Sequence, residues 1–224
     1  MSNPKIVPFY GAEDPCLFRI EREAMDRAGV LVSWLDEHLG SGLILDVGGE
    51  NGYTAQRLTR PDRTVVPLEP AAGMIPAHRR NPFVRGIAQE LPFAADSFDT
   101  AYATWAYFFP QIGSGDPGLD ELERVVRKGG KIAICDNAGS DAFCRLYNLD
   151  ISSPAVWWEE RGFSKDILTT SFDFKTLNDA EELLQFYWDN NGKAEGAEVK
   201  QTIEYKIVVY SRFVSRTGRG EREG

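Results

Sequence analysis

Apolar residues between positions 17 and 39 recur at steps of three and four, placing Ala24, Met25, Ala28, Leu31, Val32, Leu35 and Leu39 on one stripe. That is the period of a helix face turned toward a core, so one long amphipathic helix is predicted at the head of the fold. The pattern then changes to short β-branched or aliphatic runs at 43–47, 64–68, 83–87, 100–104 and 131–135. Segments of helical period separate them at 53–58, 73–79 and 119–127. Alternation of this kind implies crossover connections on a parallel sheet, and the predicted core is α/β and doubly wound.

Beyond Asp136 the pattern loosens. Residues 142–162 read as one or two helices broken near Pro154 and carrying Trp157 and Trp158 side by side, a helical insertion of about 140–162 that could act as a lid. A strand at 167–174 follows, then a helix opened by Thr176 with Asp179 three residues on, then a strand at 203–210. The last two strands are expected to close the sheet. Residues 1–214 are predicted to form a single domain, and 215–224, with no apolar anchor, a flexible tail.

Composition narrows the function classes. The 224 residues suit one domain, and 42% hydrophobic with 26% charged excludes disordered and fibrous classes. The net charge of -9 repels a phosphate backbone, so nucleic acid is not an expected partner. Three cysteines without a CxxC pair suggest neither a disulfide framework nor a zinc site, and no metal is expected. The N-terminus lacks signal-peptide character and no apolar run approaches about 18 residues, so the expected location is cytoplasmic, with no membrane partner.

The candidate chemistry starts at the exit of the first strand, where Asp46, Val47, Gly48, Gly49, Glu50, Asn51 and Gly52 lead into a helix. A glycine-rich turn at the carboxyl end of a parallel strand lets a ligand approach the backbone closely. Glu69 ends the second strand, where a carboxylate can accept hydrogen bonds from both hydroxyls of a ribose. Together they point to an adenosine-containing ligand. A dinucleotide fingerprint needs glycines in the order GxGxxG, yet counting from Gly48 the later positions are Glu50 and Tyr53, which argues against a nicotinamide-dependent reductase.

From about residue 40 to 136 the chain resembles the small-molecule branch of the class I S-adenosylmethionine-dependent methyltransferases. The resemblance rests on the acid-x-Gly-x-Gly-x-Gly pattern from Asp46, on Leu68, Glu69, Pro70 and Met74, on Gly86 to Phe93, on Ser97, Phe98 and Asp99, and on the turn Arg127 to Lys131. It implies a Rossmann-like, mostly parallel seven-stranded sheet with an antiparallel last strand. It also implies methyl transfer from S-adenosyl-L-methionine to a small-molecule acceptor by in-line displacement. In that reading Gly48 and Gly49 face the methionyl part of the cofactor, Glu69 holds the ribose, Met74, Ile87 and Ala88 lie at the adenine, and Pro70 belongs to the same cofactor-binding set. Thr104 or Trp105 faces the methionyl amine, and Asp46 steadies the loop.

Two positions depart from the family. Glu50 replaces the middle glycine and is expected to tune cofactor binding rather than to catalyse. Ile87 replaces an acid that contacts the adenine amino group, leaving recognition there to packing. The catalytic candidates are Tyr10, Tyr107 and Asp136, with Tyr10 placed where an N-terminal lid could close. Trp105, Tyr107 and Phe108, with Trp157 or Trp158 opposite, are expected to line the acceptor space. A homodimer is compatible with this reading, and the rival is a protein of this fold that binds nucleotide without turnover.

Overall fold

The structure is a computed structural model that describes residues 13–78, 80–106 and 115–215, with the backbone alone at 115–117. In place of one leading helix there are two, α1 (Pro15–Ala24) and α2 (Val30–His38). Asp14 caps α1 by accepting from the Leu17 amide at 2.9 Å, with Pro15 at the first helical position. At the other end Asp26 and Gly29 take positive φ, 50° and 74°. The Asp26 carboxylate then accepts from the amides of Val30 and Leu31, capping α2. The break is invisible to periodicity because Leu17, Ala24, Met25, Leu31 and Leu35 all enter one core cluster across it.

Seven strands follow: β1 (Gly42–Val47), β2 (Arg63–Glu69), β3 (Val84–Arg85), β4 (Phe98–Thr104), β5 (Val126–Asn137), β6 (Ser164–Asp173) and β7 (Thr202–Phe213). Their order in the sheet is β3-β2-β1-β4-β5-β7-β6, parallel except for β7, which is antiparallel to both neighbours. Helix α3 (Tyr53–Leu58) packs with α1 and α2 on one face, where α6 (Leu177–Asn191) joins them. The opposite face is covered by α4 (Gly115–Val125), α5 (Ala155–Glu159) and the segment around Ala88 and Leu91. Because β2 and β4 leave β1 on opposite sides, the strand order reverses at β1, and a crevice opens beyond the carboxyl ends of β1 and β4.

Several predicted elements are shorter than their patterns. The helix at 73–79 is only a 3₁₀ turn, Ala72–Met74, since Pro76 lacks an amide and holds Ile75 extended. The strand at 83–87 contracts to β3. The insertion contains a 3₁₀ turn, Cys144–Leu146, and the five-residue α5 in place of long helices. The predicted helix at 119–127 stops at Val125, and its last two residues open β5. The expected turn lies inside that strand, as pairing jumps from Phe98 opposite Val126 to Thr100 opposite Lys131. Gly130 is needed there because a Cβ would come 2.3 Å from the Asp99 carbonyl oxygen. Helix α6 begins with the capping box of Thr176 and Asp179. Arg79 and residues 216–224 of the predicted tail lie outside the described residues.

Candidate functional site

The loop from β1 to α3 crosses the tips of β2 and β4. The Gly48 and Gly49 amides both donate to the Leu68 carbonyl, at 2.9 and 3.0 Å. A Cβ at Gly48 would meet the Ala106 side chain at 2.3 Å, and one at Gly49 would meet Pro67 at 2.5 Å, so close packing against neighbouring strands demands these glycines. Glu50 follows with φ 49°, a left-handed conformation that disfavours a side chain.

Glu69 ties this loop to the next. One carboxylate oxygen accepts from the Glu50 amide at 3.0 Å and the other from the Ala71 amide at 2.8 Å. Burial raises its pKa, with the two amides opposing. Pro70 and the buried Met74 continue from it, while Gly86 donates back to the Glu69 carbonyl and leads to the half-buried Ile87 and the buried Ala88. The structure therefore brings Asp46, Gly48, Gly49, Glu50, Glu69, Pro70, Met74, Ile87 and Ala88 to three adjacent strand tips. Thr104 is buried at the tip of β4, and the Trp105 amide donates to the Cys135 carbonyl.

Arg22 of α1 reaches into the same region, which residue patterns did not anticipate. Its Nε lies 3.6 Å from a Glu50 carboxylate oxygen, and its guanidinium lies 5.0 and 5.6 Å from the ring centres of Tyr53 and Trp105. Among the described residues, neither that Nε nor either oxygen of Asp46 has a hydrogen-bond partner, although all three are buried. Asp46 sits opposite Tyr102 on β4, whose hydroxyl influences it without a well-formed hydrogen bond. Desolvation pushes the Asp46 pKa up to about 8, and that of Glu50 up to about 7, where Arg22 opposes the rise and Glu21 and Glu69 add to it. For Arg22, burial works to lower the pKa, but Glu50 and Glu21 outweigh it and the value stands above the ordinary one.

Next to this charged group is a cavity of about 240 Å³, lined among others by Arg22, Glu50, Trp105, Asn137, Phe143 and Tyr187. Hydrogen bonds fix its wall. Trp105 Nε1 donates to the Tyr205 hydroxyl at 2.8 Å, Tyr205 donates to Asn137 Oδ1, and the Tyr187 hydroxyl donates to Glu21.

Of the catalytic candidates, Asp136 is turned away from this cavity. Successive residues of β5 face opposite sides, so Asn137 lines the cavity while Asp136 follows Ile134 toward the other face. Desolvation pushes the Asp136 pKa to about 7. Tyr10, Tyr107 and Phe108 lie outside the described residues. Trp158 and Trp157 also belong to the other face, the first 1% exposed and stacked on Tyr210, the second against Arg161 at 3.7 Å. The wall facing Trp105 is made instead by Phe143 and Tyr187. Arg22 did leave a trace in the sequence, a charge on the apolar stripe between Phe18 and Met25. Phe143 and Tyr187 left none, since aromatic residues suit any core.

Comparison with known proteins places this geometry. The profile described as a methyltransferase domain matches residues 45–134. The demethylmenaquinone methyltransferase of Corynebacterium kroppenstedtii is 33% identical over 95 residues, 42% of this chain and 41% of that protein. The enzyme of the same name from Clavibacter sepedonicus is 34% identical over 100 residues, 42% of this chain and 40% of that protein. The shared stretch thus spans less than half the length of either relative. Among solved structures, a Thermotoga maritima protein described as an S-adenosylmethionine-dependent methyltransferase, possibly a histamine N-methyltransferase, superposes with a TM-score of 0.62 at 17% identity. That superposition covers 92% of this chain and 98% of the other, and it shows a shared fold.

Proposed function

We propose, for a chain that belongs to the class I S-adenosylmethionine-dependent methyltransferase family, that it transfers a methyl group from S-adenosylmethionine to a small, partly apolar acceptor in the cytosol. The observation that carries this reading is a buried, incompletely partnered set of charges at the tips of β1 and β2, opening onto a cavity with aromatic walls. The donor set suits the cofactor. Each Glu69 oxygen accepts one backbone amide and keeps a lone pair for a ribose hydroxyl. Arg22 supplies an unused Nε–H for the methionyl carboxylate, and Asp46 and Glu50 supply acceptors for its ammonium. Pro70, Met74, Ile87 and Ala88 give the adenine an apolar seat.

When bound, S-adenosylmethionine supplies a methyl on a sulfonium, a leaving group that needs no protonation. The chain then has to align the acceptor and exclude water, effects that account for several kcal/mol of a barrier. Trp105, Phe143 and Tyr187 orient a flat acceptor, and Asn137, Glu21 and Glu50 are the polar groups it meets. A family of this fold can also bind the cofactor without turnover, and Glu50 in a glycine position is the feature that favours that second reading.

Calorimetric titration with S-adenosylhomocysteine tests the cofactor site, with saturable binding lost or weakened in Glu69→Ala expected. Incubation with S-adenosylmethionine and a metabolite library, read as a mass gain of one methyl, tests transfer. Absence of binding overturns the reading, and binding without any methylated product favours the non-catalytic alternative.

A further inference from the structure

Strand β6 forms one margin of the seven-stranded sheet and pairs on its inner side with β7. The register with β7 is unbroken from Ser164 to Asp173, so the backbone groups of successive residues turn inward and outward alternately. The Ser171 carbonyl accepts from the Asp26 amide at 3.1 Å, outside the sheet, which fixes the outward set as the odd-numbered residues. Both ends of that set are taken. Asp26 covers it at Ser171, and at the other end the Phe163 amide donates to the Trp158 carbonyl at 3.2 Å. Between those ends, among the described residues, the outward amides and carbonyls of Lys165, Ile167 and Thr169 meet no backbone partner.

Such an edge is a template for another strand. The charges that guard it stand only at Lys165 and Asp166, and Lys165 is turned back on Glu159 of α5 at 2.7 Å. Beyond them come Ile167, Leu168, Thr169 and Thr170, aliphatic or β-branched residues, with Ile167 50% exposed. The free run is centred on Ile167, and that symmetry selects a second copy of the chain, running antiparallel, as the strand that fits it. Outward groups have to meet outward groups, so odd-numbered residues have to stand opposite odd-numbered residues. With Ile167 opposite itself, Lys165 meets Thr169 and Asp166 meets Leu168. All three outward residues then find partners, and no like charges are apposed. A shift one way sets Asp166 against Asp166, and a shift the other way sets Lys165 against Ser171, whose carbonyl Asp26 already holds.

We propose that β6 is the contact of a symmetric dimer, in which the β6 edges of two copies pair antiparallel about a two-fold axis at Ile167 and join their sheets into one. The two exposed Ile167 side chains cover each other at the axis, an apolar cross-strand pair. Strands β4, β5 and β7 separate this edge from β1, so the contact leaves the strand tips open and does not depend on the methyltransferase reading.

The test is sedimentation equilibrium of the full chain between about 1 and 200 µM, at physiological salt to screen the net charge of -9 on each copy. A concentration-dependent monomer–dimer equilibrium is expected. Ile167→Lys and Ile167→Glu each set like charges face to face at the axis, and each alone is expected to weaken the dimer about tenfold. An equimolar mixture of the two variants is expected to restore association to within about threefold of the unchanged chain, which requires position 167 of one copy to meet position 167 of the other. Should either variant not fold by circular dichroism, Ile167→Cys in a Cys16→Ser background is read in its place. Mild oxidation is expected to join two such chains by a disulfide, since directly opposite residues of an antiparallel pair lie within disulfide reach. A chain that stays monomeric throughout, a dimer indifferent to both charges, a mixture no more associated than its components, or no disulfide at position 167 overturns the assignment.

Discussion

Between residues 45 and 134 each candidate position follows from the strand that carries it, whereas the aromatic cavity is assembled from segments far apart in the chain. Asp46 lies one residue before the end of β1, Glu69 and Thr104 end β2 and β4, and adjacent parallel strands bring those tips together whatever the loops do. The cavity instead needs Arg22 from α1, Asn137 at the end of β5, Phe143 beyond it, and Tyr187 from α6, residues that meet only once α1 and α6 pack on the same face of the sheet. The first region is a local consequence of strand topology, and the second is a product of tertiary packing. On the proposed methyltransferase reading, acceptor choice can therefore change through α1, α6 and residues 137–151 while the strand tips stay as they are.

The sharpest way to break this division is at Trp158, which stands outside both regions. Trp158→Ala is expected to cost about 3–5 kcal/mol of stability as a large buried side chain is deleted, measured by denaturant unfolding. Cofactor and acceptor affinities of the folded variant should be unchanged, and a selective loss of acceptor binding would return α5 to the cavity wall. In the strand-tip region, Glu69→Ala is expected to weaken S-adenosylhomocysteine about ten- to a hundredfold, or roughly 1.5–3 kcal/mol, by removing charge-assisted contacts. Calorimetry that shows unchanged affinity would detach Glu69 from the cofactor.

The pH dependence of stability separates the regions further. Asp46 near 8, with Glu50 and Asp136 near 7, stand above their ordinary values of 3.8 and 4.5. Through this interval the folded state holds protons that the unfolded chain has released. The stabilisation is therefore fully present below the ordinary carboxylate range and is lost as pH rises through about 7 to 8. Thermal melts should show Tm falling from mildly acidic to mildly alkaline pH, and Asp46→Asn should flatten the slope. A Tm that rises over that interval would contradict the buried, poorly partnered state of these acids. The smallest effect is on the cavity side, where Tyr187→Phe removes the hydrogen bond to Glu21. It should raise the acceptor KM about fivefold, near 1 kcal/mol, with cofactor affinity unchanged.

Much of this protein was open to reading from residues alone, for a physical reason in each case. The alternation of β-branched runs and helical segments reports burial on both faces of a parallel sheet, so the doubly wound core and the order of its motifs follow from local patterns. The glycines at 48, 49 and 52 and the acid at 69 stand at strand exits, where backbone geometry restricts the choice of residue. The capping box at Thr176 is equally local. Other features needed the folded chain. The helix break at Asp26 hides in a stripe that continues across it, because both helices face the same core. Whether Asp136 or Asn137 meets the cavity depends on the phase of β5, which a shift of one residue inverts. The place of Trp157 and Trp158 depends on which face of the sheet α5 covers, and that Arg22 comes to rest beside Glu50 depends on how α1 docks. These are outcomes of long-range packing between segments whose own sequences are satisfied by several arrangements, and only the tertiary structure selects one.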